Sequence, residues 1–396
     1  KLYIAILLLA GVLTSCKVGK SYVRPDLHLP DSLERAQDSI SFGDQDWRDI
    51  YTDATLRSLI ERALDHNKDM LIAAARVKEM AAQKRISTAA LLPDIKGKVT
   101  AERELENHGG DAFKRSETFE AQFLVSWELD LWGNLRWARS ASIAEYLQSI
   151  EAQRALRMTI VAEVAQAYYE LVALDTELDI VKQTLKAREE GVRLLQEFNS
   201  PETLPVGLPS TLLERRPDIR QAEQKLIAAN AKVGVAYTNM FPRLALTGGF
   251  GSESTSLSEL LKSPYAVMEG ALLTPIFGWG KNRAALKAKK AAYEAEVHSY
   301  EKAVLEAFKE TRNAIVNFNK IKEVYELRAN LERSAKSYMD LAQLQYINGV
   351  INYLDVLDAQ RGYFDAQIGL SNAIRDELIA VVQLYKALGG GWEQNP

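Results

Sequence analysis

Residues 119–131 read Phe-Glu-Ala-Gln-Phe-Leu-Val-Ser-Trp-Glu-Leu-Asp-Leu. Phe119, Ala121, Phe123, Val125, Trp127, Leu129 and Leu131 fall on every second position and are all apolar, while Glu120, Gln122, Ser126, Glu128 and Asp130 stand between them. Successive side chains of a strand point to opposite faces, so this is a strand with one greasy and one wet face, the pattern of a membrane barrel. A half-buried strand of a soluble sheet alternates in the same way, but the length and the aromatic content favour the barrel.

Outward from this strand, the chain repeats itself. Sliding it by 149 places Asn67-Lys68-Asp69-Met70 on Arg216-Pro217-Asp218-Ile219 and then pairs Ala73 with Ala222, Ala82 with Ala231 and Pro93 with Pro242. A shift of 147 lays Trp132-Gly133-Asn134-Leu135-Arg136 on Trp279-Gly280-Lys281-Asn282-Arg283 and Tyr146 on Tyr293. Each copy opens with an Ala-rich helical pattern, residues 54–91 and 210–240, that stops just before Pro93 or Pro242, as proline's restriction on its neighbour requires. Strands are expected at about 94–105, 117–131, 243–254 and 266–277, the last carrying Pro275. After Trp-Gly-x-x-Arg each copy enters a very long helical pattern, 134 to about 198 and 281 to about 347, with coiled-coil-like spacing from Tyr293 and Val297 to Phe318 and Tyr325. Roughly 65 residues at about 1.5 Å each give about 95 Å, far beyond the roughly 30 Å of hydrocarbon in a bilayer, so these helices project from the membrane rather than span it. Four strands cannot close a barrel, and an open edge is not tolerated in lipid, so subunits must share the barrel.

The chain starts with an apolar run, Leu2–Leu13, behind Lys1, and the run ends in Leu13-Thr14-Ser15-Cys16. This has the form of a signal peptide followed by a lipobox, which would place a covalent lipid on Cys16. Cys16 is the only cysteine, so disulfides within the chain are excluded. Lys17 is not the Asp that favours inner-membrane retention in some bacteria, which leaves the outer membrane open. The formal net charge of −4 offers no electrostatic case for nucleic acid. The expected organisation is a signal peptide (1–15), a lipidated extended segment (16–50), a first repeat (51–199), a linker (200–209), a second repeat (210–392) and a tail (393–396).

These residues resemble the TolC-like outer-membrane efflux proteins, specifically their NodT-type lipoprotein branch, over almost the whole chain. The resemblance is carried by Cys16, Tyr22-Val23-Arg24-Pro25, Trp127-Glu128-Leu129-Asp130-Leu131-Trp132-Gly133, Gly207-Leu208-Pro209-Ser210, Arg215-Arg216-Pro217-Asp218-Ile219, Phe241-Pro242 and Gly389-Gly390-Gly391-Trp392. It implies a mainly α fold with a β-barrel portion, a homotrimer with a twelve-stranded barrel in the outer membrane, and a periplasmic tunnel of helices. It also implies a periplasmic adaptor and an inner-membrane RND-type pump as partners, with outer-membrane lipid around the barrel. One departure is expected. The second copy turns through Gly349 into a further helix from Ile351 to about Leu388, whereas the first copy breaks at Asn199-Ser200-Pro201 with no returning helix. By the internal symmetry roughly 60 residues are absent there.

No catalytic constellation is present. His28, His66, His108 and His298 are scattered, and no H-E-x-x-H, P-loop or nucleophile elbow occurs, so neither an enzyme nor a resident cofactor is expected. The six methionines are dispersed, without the soft-ligand clusters of a copper path. Asp355 and Asp358 stand at i, i+3 spacing at the start of the returning helix, where both carboxylates share a face and an ordinary acidic first turn is the plain alternative. The resemblance makes them a pore constriction: they match an aspartate pair lining the closed periplasmic mouth of the best-known family member, and three-fold symmetry would set six carboxylates around one axis, favouring cations and raising some pKa values. Tyr346 matches a residue that helps latch that mouth, while Ile351 stands where the relative has an arginine. A periplasmic adaptor lipoprotein is the alternative reading. It would carry a Gly-rich lipoyl-like domain and a single hairpin, not this repeat.

Overall fold

The computed structural model describes residues 17–26, 41–106, 114–186, 215–275 and 278–392. The signal peptide, Cys16, the linker, residues 187–214 and the tail lie outside the described residues. Helices α1 (Trp47–Ile50), α2 (Ala54–His66) and α3 (Lys68–Ala89) lead into strands β1 (Asp94–Glu106) and β2 (Lys114–Leu129), followed by α4 (Asn134–Lys186). The second copy comprises α5 (Pro217–Thr238), β3 (Arg243–Ser254), β4 (Pro264–Leu273), α6 (Trp279–Ile347) and α7 (Tyr353–Ala387). The four strands form one antiparallel sheet in the order β1-β2-β3-β4.

The expected single helix over 54–91 is two. Asn67 adopts extended backbone at the end of α2, and its Oδ1 accepts from the Asp69 and Met70 amides at 2.8 and 3.3 Å, capping α3. Segment 16–50, expected to be extended, contains a 3-10 turn at Phe42–Asp44 and the short helix α1, capped by Ser41 and Asp46. Strand β4 stops at Leu273 instead of running to 277, because Pro275 has no amide to donate to the ladder. Pro217 opens α5 at the first helical position, where its missing N–H is harmless.

The chain resolves into two compact units, and each takes residues from both copies of the repeat. The first gathers residues up to Pro25, Val77–Gln148 and Glu223–Ser299 and holds the sheet. The second gathers Asp26–Arg76, Ser149–Ala222 and residues from Tyr300 on. Its core packs Trp47, Tyr51, Leu56 and Ile60 with Val161, Ala165, Leu384, Tyr385 and Leu388. Phe42 and Tyr51 meet the Tyr385 ring edge-on, with centroids 5.4 and 6.3 Å apart, and the Tyr385 hydroxyl donates to Gln45 O at 2.6 Å.

Candidate functional site

The register of the sheet sorts its side chains into two faces. One carries Ile95, Val99, Phe119, Phe123, Trp127, Leu246, Phe250, Met268 and Leu272. These side chains do not retreat from solvent: Val99 is 81% exposed, Phe123 64% and Met268 85%. A face this apolar and this bare is built for lipid. The opposite face is polar. There the Tyr265 hydroxyl donates to Glu120 Oε1 at 2.6 Å, Thr100 donates to Glu120 Oε2 at 3.1 Å, and Lys98 stands 3.7 Å from the same carboxylate. Strand ends that feed or follow helices all lie at one end of the sheet, since Asp94 pairs with Ser126 and Arg243 with Leu273.

At that end the segment after Cys16 is strapped onto the helices. Val18 N–H donates to Trp132 O at 3.1 Å, and the Trp137 indole donates to Val18 O at 2.7 Å. The Lys17 ammonium lies 3.6 Å above the Trp137 ring and donates to Ser140 Oγ at 2.7 Å. Burial, then the nearby Arg136 guanidinium, lowers the Lys17 pKa, against the opposing pull of Asp130. Arg24 grips Glu223 of α5 with two bonds of 2.6 Å, and Tyr22 adds a third at 3.2 Å. Sequence reading lists Tyr22-Val23-Arg24-Pro25 as a landmark without finding this partner, because nothing in local spacing links residue 24 to residue 223.

The turn between α6 and α7 holds the residues expected at a pore mouth. Gly349 takes φ +72°, the left-handed conformation that lets the chain reverse. Tyr346 and Tyr353 face one another across the turn with centroids 5.5 Å apart. Asn352 and Asp355 form a capping box, each side chain accepting the other's amide at 3.2 Å. Asp355 and Asp358 are both exposed, and Asp358 has no hydrogen-bond or ionic partner among the described residues. Within one chain the structure therefore brings Tyr346, Asp355 and Asp358 to the same hairpin end, with Asp355 also serving as a helix cap.

The second unit contains a charge network absent from the sequence reading. Arg216, buried at its guanidinium, binds Asp218 at 3.1 and 2.7 Å, Glu310 at 2.7 Å and the Ala387 carbonyl at 3.0 Å. Buried Glu151 takes Arg154 at 2.9 Å and Arg220 at 2.7 Å, and both guanidiniums lie against the Trp392 ring at 4.7 and 5.3 Å. Burial raises the Glu151 pKa, and the two guanidiniums oppose it. These contacts account for two of the most specific motif blocks. Arg216-Pro217-Asp218 and the Gly-Gly-Gly-Trp end are packing and charge-pairing devices.

Among the described residues no group of three or more His, Cys, Asp or Glu is arranged to hold a metal ion. No described helix is long and apolar enough to cross a membrane.

Residues 59–197 and 208–390 match the family model described as outer membrane efflux protein. The chain is 31% identical over 460 residues to outer membrane protein OprJ of Pseudomonas aeruginosa, covering 99% of this chain and 96% of OprJ. It is 28% identical over 451 residues to the cation efflux system protein CusC of Escherichia coli, covering 97% and 98%. Its fold superposes on the open-state crystal structure of the MtrE outer membrane channel of Neisseria gonorrhoeae with a TM-score of 0.82 at 26% identity, covering 95% of this chain and 98% of that one.

Proposed function

Because this chain belongs to the outer membrane efflux protein family, and so forms an efflux channel in the outer membrane, we propose that three copies close a twelve-stranded barrel that conducts cargo passively. The observation that carries the reading is the four-stranded sheet whose apolar face is bare and whose outer strands, β1 and β4, each pair on one side only among the described residues. Four strands need more strands to satisfy those edges in lipid, and identical subunits supply them. The adaptor reading is set aside, since the family match runs through both copies of the repeat.

Cys16 carries the anchoring lipid in this proposal. It precedes Lys17, which is fixed at the helix end of the sheet, so acyl chains attached there enter the leaflet beside the barrel rim. Asp355 and Asp358 form the cation-favouring constriction, and Tyr346 contributes to the latch by packing on Tyr353. A periplasmic adaptor and an inner-membrane RND-type pump complete the system, and the pump supplies the energy. The sequence holds no counterpart of α7 near Asn199, a reading supported by an alignment to OprJ that runs over 460 residues where this chain has 396.

The test is the purified chain in detergent and in planar bilayers. A heat-sensitive trimer band together with discrete conductance steps is expected. A monodisperse monomer that leaves the bilayer silent would overturn the shared barrel.

A further inference from the structure

Helices α4 and α6 leave the same end of the sheet, and the repeat lays their first turns on one another, Trp132-Gly133 on Trp279-Gly280. On α4 this surface is covered by the chain itself. A Cβ on Gly133 would stand 3.0 Å from the Lys17 Cα, and the Lys17 side chain runs over Trp137 to Ser140. The counterparts of Gly133, Trp137 and Ser140 on α6 are Gly280, Ala284 and Lys287. Among the described residues, nothing beyond the helix's own backbone and the chain neighbours lies within 4 Å of a Cβ on Gly280. Together with Arg283 and Lys290, these residues line an open groove of about 450 Å³.

The groove's charge is unbalanced. Residues 281–290 hold Lys281, Arg283, Lys287, Lys289 and Lys290 and no carboxylate. All five are exposed, and none has an ion-pair partner among the described residues. Lys281 sits in the first turn and Arg283 directly after it, close to the end where the helix dipole disfavours cations, so helix stability does not explain them. In the first copy Arg136, the counterpart of Arg283, is neutralised by Asp130 at 3.0 Å, but Phe277 stands where a second Asp130 would be. The other four cations replace Asn134, Ser140, Ser142 and Ile143.

We propose that this groove binds the phosphate headgroup of an anionic phospholipid in the leaflet beside the helix end of the sheet, an inference that rests on the barrel reading above. Arg283, Lys287 and Lys290 share one helical face at i, i+4 and i+7, and the exposed Trp279 next to them is the side chain that favours a membrane interface. The first copy makes its membrane contact through the strap that follows the lipidation cysteine. The second copy has the same bed and makes its contact through the lipid's own charge. Three cations near an anionic surface, each contributing roughly fivefold, give a preference on the order of 100-fold over a zwitterionic headgroup.

The experiment titrates the purified full-length channel in detergent with short-chain phosphatidylglycerol, phosphatidylcholine of the same chain length, and inorganic phosphate, with bound ligand counted by native mass spectrometry. The wild type should prefer phosphatidylglycerol. Arg283→Gln combined with Lys287→Gln and Lys290→Gln should weaken that binding by at least about tenfold while the oligomer band and conductance persist. The control, Lys302→Gln with Lys309→Gln and Lys320→Gln lower on the same helix, should bind as the wild type does. Equal phosphatidylglycerol affinity in the groove variant overturns the site. Displacement of the lipid by equimolar inorganic phosphate overturns the lipid as occupant. Altered ion selectivity with unchanged lipid affinity places the cations in the lumen and also overturns it. A wild type without conductance would instead strike at the barrel reading itself.

Discussion

Gly234 and Trp137 meet so closely that each defines what the other can be. A methyl at position 234 of α5 would lie 2.2 Å from one Trp137 ring carbon and 2.5 Å from two more, where carbon atoms prefer roughly 3.5–4.0 Å. The ring cannot swing away without losing its bond to Val18 O at 2.7 Å and the Lys17 ammonium above it. Gly234→Ala gains about 1 kcal/mol of helix propensity and incurs an overpacking penalty of about 1–3 kcal/mol or more. A 2.2 Å contact belongs at the upper end of that penalty, so the net is destabilisation by about 2 kcal/mol, lowering the unfolding midpoint by about 4–8 °C in a unit of this size. Trp137→Ala alone should cost about 3–5 kcal/mol, because the ring is buried in the α4–α5 contact with Ala141 and Ala231. In the double variant the new methyl occupies space the ring has left, so the losses fall short of their sum by about 1–3 kcal/mol. Far-UV circular dichroism of the detergent-purified channel at one fixed scan rate measures all four midpoints. A Gly234→Ala midpoint at or above wild type, or strictly additive losses, would refute the reasoning.

Phe123→Arg on the apolar face should destabilise the barrel by about 2–4 kcal/mol, seen as loss of the heat-sensitive band, whereas Gln122→Arg on the polar face should leave it intact; equal effects would contradict the assigned faces. Asp355→Ala with Asp358→Ala should weaken cation selectivity, read as a reversal-potential shift in a salt gradient, and an unchanged potential would remove their pore role. Tyr168 donates to Asp53 at 2.9 Å, and burial first, then that carboxylate, pushes its phenol up to about 12. The folded state therefore holds the proton more tightly than the unfolded chain, whose tyrosines titrate near about 10, and the stability from this bond is whole below about pH 10 and lost as pH rises through about 12. Tyr168→Phe should flatten the decline in thermal midpoint over that window, and a decline of unchanged slope would count against the bond.

The features legible in the sequence are those with a short period or a landmark residue. Alternation over 119–131 gave the strand and its faces because side chains of a strand repeat every two residues, and Pro93 and Pro242 marked where helices give way to strands. The division at Asn67 was not legible, since apolar spacing continues through it and the break depends on one amide side chain turning back to cap α3. The hairpin aspartates were visible as a pair, but not that Asp355 spends its carboxylate on Asn352, although Asn-x-x-Asp is a capping-box pattern. The strap and the Arg216 network were out of reach. Their partners lie about a hundred or more positions apart, as with Lys17 and Ser140 or Arg216 and Glu310, and only a folded chain brings them together.

Helix α3 shows why a single subunit is an incomplete object. It has 22 residues and none is buried, and Leu71, Ile72 and Ile86 all face solvent. In a protein most of a helix's stability comes from packing one apolar face, and within one subunit α3 packs almost none. The strand it feeds, β1, is an edge strand with the same problem in another form, because one side of its ladder has no partner among the described residues. β4 and the exposed Ala285, Ala288 and Ala292 side of α6, turned away from Arg283, Lys287 and Lys290, present the matching deficit at the other margin of the sheet. A neighbouring copy that offers its β4 and α6 to this β1 and α3 would satisfy a ladder and bury an apolar helix face in one step. Under the proposed shared barrel, closure and helix packing are one assembly event, in which neither the strands nor the outer helices reach their final stability until the ring of subunits is complete.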